Sequence, residues 1–110
     1  TVECVMLTYE NVDNVGLVAT TTIVVDPAYS KPEEFQVTIN PSAGATGTVT
    51  PTVKARGSNT FEAITDNGVA VSVNLAAPLT FRIFGMIDAI KLTPANLVGS
   101  FSAVIHGFRG

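Results

Sequence analysis

The chain has 110 residues, a net charge of −3, 46% apolar residues and only 14% charged ones. That size fits a single domain spanning residues 1–110, and against the roughly 25% charge of an ordinary soluble domain it leaves a monomer few charges with which to cover itself, so part of the surface is expected to be covered by protein. Lys31, Lys54, Arg56, Arg82, Lys91 and Arg109 are scattered, giving no basic stripe for a phosphate backbone, and the most apolar stretch, Gly16 to Val25, is far short of the roughly 20 residues a bilayer helix needs; nucleic acid and membrane are therefore not expected partners.

In chain order, the first predicted strand is Val2 to Tyr9 and the second Gly16 to Val25, separated by the turn signal Asp13-Asn14. Asp26 to Glu34, with two prolines and Tyr29, reads as an extended surface connection that could reach for a partner. Phe35 to Ile39 alternates Phe35, Val37 and Ile39 against Gln36 and Thr38, so it is expected to bury one face. Thr48 to Ala55 follows the turn residues Asn40-Pro41, Gly44 and Gly47. Asn67-Gly68 predicts a two-residue hairpin loop leading from a strand near Ile64 into one over Val69 to Leu75. Leu79 to Met86, Ala89 to Thr93 and Ser100 to His106 complete about eight strands. No long amphipathic helix is readable; the places left for a helical turn are Pro94 to Leu97 and Ser30 to Glu34. The expected fold is all-β, an antiparallel two-sheet β-sandwich of jelly-roll or Greek-key connectivity.

Residues that could carry chemistry are sparse. The single histidine, His106, lies in a strand pattern with no nucleophile elbow nearby, so no catalytic triad is expected. Cys4, in a Val/Met/Leu-rich stretch, reads as a small buried hydrophobe, and one Cys and one His far apart in sequence do not make a zinc site. Asp13, Asp66 and Asp88 lack the oxygen ladder of a calcium loop, the adjacent Glu33-Glu34 read as a solvated loop, and the glycines form no phosphate-binding loop. The chain is expected to have no catalytic residues, metal or cofactor. No charged segment followed by an apolar run and a cleavage site opens it, so no secretion signal is expected. Most phenylalanines are expected in the core. In Leu79 to Met86, however, Leu79, Phe81 and Ile83 share one face and Arg82, Phe84 and Met86 the other, which makes Phe84 and Met86 candidates for a contact surface. Val2, Val5, Met6 and Leu7 near one end, Tyr29 in the long connection and Phe108 near the other end complete the candidate interface.

Thr46 to Gly107 resembles the small β-sandwich virion structural proteins of tailed bacteriophages, the subunits that decorate capsids or build head fibres. The similarity is carried by Gly47-Thr48-Val49, the run Val53 to Ile64 (VKARGSNTFEAI), the segment Ile87 to Pro94 (IDAIKLTP), and Gly99-Ser100-Phe101-Ser102-Ala103-Val104. The resemblance implies a capsid decoration, or cement, subunit on the virion surface. It further implies a homo-oligomer, with a trimer favoured, that binds the major capsid protein or other virion proteins. A soluble module binding glycans or a host surface, and a fibre, tail-tube or pilus-type subunit, are the alternatives.

Overall fold

A computed structural model describes residues 6–25, 33–66 and 68–109. The strands are β1 (Met6–Leu17), β2 (Thr21–Val24), β3 (Glu34–Pro41), β4 (Thr46–Ala55), β5 (Glu62–Ala63), β6 (Thr65–Asp66), β7 (Val69–Ala70), β8 (Val73–Asn74), β9 (Leu79–Phe84), β10 (Ile87–Val98) and β11 (Phe101–Arg109). No helix occurs among the described residues. The strands form two antiparallel sheets, one ordered β1-β11-β3-β9 and the other β2-β10-β4-β5 with β8 also on β4, while β6 and β7 make a separate hairpin. The expected β-sandwich is therefore the fold, and eight strands set the order of its two sheets.

The connectivity, which local patterning could not supply, follows from the pairing. β1 pairs with β11, β2 with β10, β3 with β9 and β4 with β5. The chain is thus one long antiparallel hairpin rolled around a common core, which is jelly-roll order.

Alternation drives the burial. Phe35, Val37 and Ile39 of β3 and Ala103 and Ile105 of β11 are fully buried, and they meet Val49, Ile90 and Leu92 from the opposite sheet in one apolar cluster. Tyr9 and Phe35 both stand opposite Gly107, on either side of β11. With no side chain on the glycine between them, the two rings meet edge to face, 6.2 Å apart.

Two prolines sit in long ladders, where a missing N–H is normally excluded. Leu75 donates its N–H to the Gly47 carbonyl at 3.0 Å, so antiparallel alternation turns the main-chain groups of Val49 and Pro51 toward that same side. β8 covers Thr48 and Val49 there, and β5 covers Thr52 and Val53. The Pro51 nitrogen therefore faces the gap between β8 and β5. Pro94 pairs with Val49 across the β4–β10 ladder, so its nitrogen points away from β4, past the end of β2, which pairs only as far as Leu92.

That placement explains one correction. The helical turn left open at Pro94 to Leu97 is absent: β10 runs through to Val98, and the backbone irregularity takes the form of a bulge against β4 with Asn96 at φ 53°. Asparagine tolerates that left-handed conformation better than most residues. Of the other expected turn, Ser30 to Pro32 lies outside the described residues, and Glu34 already belongs to β3. Further differences concern boundaries. β1 extends to Leu17, and Val18 to Thr20 break the strand expected over Gly16 to Val25. Val69 to Leu75 is not one strand but β7 and β8, with Val71 and Ser72 between them. β6 and β7 pair as a hairpin, with Asp66 paired to Val69, so the first of its strands ends two residues later than the expected end near Ile64; Asn67 of the expected Asn67-Gly68 turn lies outside the described residues.

Candidate functional site

Register, more than sequence, assembles the surface of interest. Phe108 of β11 stands opposite Glu34 of β3, which stands opposite Phe84 of β9. Residues directly opposite on neighbouring strands share a face, so Phe108, Glu34 and Phe84 form one row across the solvent side of the first sheet. The next row is Glu10, His106, Gln36 and Arg82. Between the two rows lies a cleft of about 260 Å³ lined by Glu34, Gln36, Arg82 and Phe108. The Arg82 guanidinium lies 3.5 Å from the Glu34 carboxylate, with the Arg82 side chain 63% exposed. An exposed pair at that distance contributes little. Replacing Glu34 with Gln is expected to change unfolding free energy by less than about 1 kcal/mol in urea melts, and less again at high salt.

Phe84 is 76% exposed, and Met86, just beyond the end of β9, is 44% exposed. The expectation that Phe84 lies outside while Phe81 and Ile83 are core therefore holds. Leu79 departs from it: it is 41% exposed and borders a second cleft, of about 370 Å³, between β9 and the segment containing Ile64 and Val71. Phe108 is half-buried in its row. The backbone of Met6 pairs with Arg109 and that of Leu7 with Phe108. Val2, Val5 and Tyr29 lie outside the described residues. Of the eight interface candidates, the fold thus brings Phe108 and Phe84 into one row, with Met86 two residues beyond Phe84 and the backbone of Leu7 paired to Phe108.

No protein-family model, curated protein or solved structure matches the chain.

The groups considered for chemistry have structural settings. His106 is half-buried, its ring 6.4 Å from that of Phe108 and tilted by 45°, with Glu10 and Gln36 as its strand neighbours. Asp88 accepts the Gly57 N–H at 3.2 Å, fixing the turn after β4. Among the described residues no group of three or more His, Cys, Asp or Glu side chains is placed to hold a metal ion. Three phenylalanines, Phe35, Phe81 and Phe101, are core, whereas Phe61 is half-buried on the other sheet under the Lys91 ammonium, 4.8 Å from the ring centre. The two rows together set two aromatic rings, a carboxylate, a guanidinium and an amide on one sheet face. Glu34 was read as part of a solvated loop, and Gln36 and Arg82 could be assigned to strand faces but not brought together, because a period-2 pattern does not say which strands lie side by side.

Proposed function

We propose that this protein is a non-enzymatic structural subunit of a virion, a capsid decoration protein that stabilises the shell through protein–protein contacts, with the Phe108–Glu34–Phe84 face as its docking surface. The carrying observation is Phe84, a phenylalanine three-quarters exposed beside Met86 on a chain with only 14% charged residues; a ring of that size left in water is a contact awaiting its cover. Two further points support the reading. Jelly rolls recur among viral capsid domains, and the resemblance of Thr46 to Gly107 to phage decoration proteins points the same way. The partners are the major capsid protein or other virion proteins and further copies of this chain, at the capsid surface. Binding strength comes from apolar burial, about 25 cal/mol per Å², multiplied by avidity over repeated sites.

The test is co-sedimentation with preformed shells lacking the protein. Wild-type chain is expected to pellet saturably with shells, and Phe84→Ala to weaken that binding about tenfold or more, as truncation of a buried aromatic anchor does, while its melting temperature stays within a degree or two of wild type. Failure of the wild type to pellet with any shell overturns the reading.

The cleft beside Phe108 favours a second one. An aromatic wall with a carboxylate, an amide and a guanidinium within one 260 Å³ hollow suits a sugar ring, and jelly rolls also serve as lectins. A glycan that raises the melting temperature of wild type but not of Phe108→Ala would move the assignment to a glycan-binding module.

A further inference from the structure

We infer that two copies of this chain pair through β9, edge to edge and antiparallel about a two-fold axis, continuing the first sheet from one subunit into the other. This inference stands on the sheet edges alone and does not depend on the virion reading.

A sandwich with free edges must blunt them against unwanted strand pairing, by shortness, bulges or charge. Three of the four edges here are blunted. β2 has four residues and β5 two, and beside β5 the short β8 also has two. β1 is long, but its register against β11 shifts at three places, between Leu7 and Tyr9, between Asn11 and Asn14 and between Asn14 and Leu17, so its outer groups are not evenly spaced. β9 is different. It pairs with β3 over six consecutive positions without a shift, and it contains no proline or glycine and a single charge, Arg82.

The unused groups of β9 can be identified. Gly85 donates its N–H to the Glu33 carbonyl at 2.8 Å, so alternation directs the main-chain groups of Ile83 and Phe81 to β3 and those of Thr80, Arg82 and Phe84 outward. Among the described residues no strand hydrogen-bonds to β9 on that side. Open clefts of about 370 and 270 Å³ separate it from the segment around Ile64 and Thr65.

The occupant follows from what β9 presents. A two-fold interface must be self-complementary, and the outward face of β9 carries a cation and an exposed aromatic ring two residues apart. In an antiparallel pair of β9 strands, outward residues meet outward residues, which leaves three well-overlapped registers. Arg82 opposite Arg82 of the second copy sets like charges together. Arg82 opposite Thr80 brings Phe84 against Pro78, which has no N–H to give. Arg82 opposite Phe84 of the second copy lets the outward N–H and C=O groups of both residues bond in both directions, centres the pair on Ile83, and lays each guanidinium over a ring. This register replaces the trimer implied by the resemblance with a closed dimer.

The experiment is light scattering across a wide concentration range on wild type, Phe84→Lys and the double variant Phe84→Lys with Arg82→Glu, with circular dichroism confirming that each retains its strand signal. Wild type is expected at twice the chain mass. Phe84→Lys, which sets a lysine against Arg82 of the second copy, is expected to be a monomer with at least a tenfold weaker dimerisation constant. The double variant restores opposite charges at both contacts and is expected to return to the dimer, a rescue that a mere loss of folding would not produce. A wild-type chain monomeric at every concentration, a trimer, a dimer that Phe84→Lys leaves intact, or a double variant that stays monomeric would each overturn the inference. Shell binding is read separately, so a chain that dimerises and ignores shells, or the converse, distinguishes the two proposals.

Discussion

Replacing Phe35 with alanine is expected to cost about 3–5 kcal/mol, the range for emptying a fully buried aromatic site, a large part of a domain stability that is usually about 5–15 kcal/mol. Phe35 is fully buried and sits in an inner strand of its sheet, opposite Ile83 on β9 and Gly107 on β11. Its ring fills the space above Gly107 together with Tyr9, and no neighbouring side chain on that glycine can lean in to close the cavity. The cost should therefore fall at the upper end of the range, because the penalty grows with the volume that fails to collapse. Urea unfolding followed by circular dichroism checks it: the midpoint is expected to drop steeply for Phe35→Ala and modestly for Phe35→Leu, while a Phe35→Ala midpoint near wild type would contradict the assigned core.

Gly47→Ala is expected to be nearly as damaging, at about 2–4 kcal/mol, although it adds only a methyl group. A Cβ on Gly47 would lie 2.6 Å from the Asn96 carbonyl oxygen and 2.7 Å from that of Ala95, and Gly47 itself has φ +110°. Both obstacles are main chain, held in the β4–β10 ladder, so neither can swing aside as a flexible side chain would. Gly44 supplies the control. It also has positive φ, +75°, but an added Cβ meets nothing within 4 Å, so Gly44→Ala is expected to cost only about 1 kcal/mol, the backbone penalty without the collision. Equal losses at the two positions in parallel urea melts would show that β10 yields at its bulge.

These two sites also mark what could be read before folding. Phe35, Val37 and Ile39 alternate so cleanly with Gln36 and Thr38 that period alone assigns their burial, and the turn signal at positions 67 and 68 falls where β6 and β7 pair as a hairpin. Both signals are local. Pro94 misled because a proline reads as a strand breaker unless one knows which side its nitrogen faces, and that depends on β2 ending at its pairing with Leu92. Val69 to Leu75 misled because alternation persists through Val71, Val73 and Leu75 even though the ladder partners change. The candidate site was legible only in part. Phe84 announced itself as an apolar residue on an outer face, but its row with Glu34 and Phe108 requires residues far apart in sequence to fall into register, which no local pattern encodes.

The position of β11 has a consequence for how the chain comes to exist. It is made after every other strand in these residues, yet it lies inside its sheet, between β1 and β3. Until the ribosome has released Phe101 to Arg109, β1 has no neighbour in its sheet and β3 bonds on one side only, so the first sheet closes only after the other described strands have been made. Pairing of such distant segments is slow, in the millisecond-to-second regime of β-sandwiches, and the nascent chain spends that interval with Phe35, Val37 and Ile39 uncovered. Loss of β11, which pairs on both sides, is therefore expected to be more damaging to the yield of folded protein than loss of β1, which pairs on one.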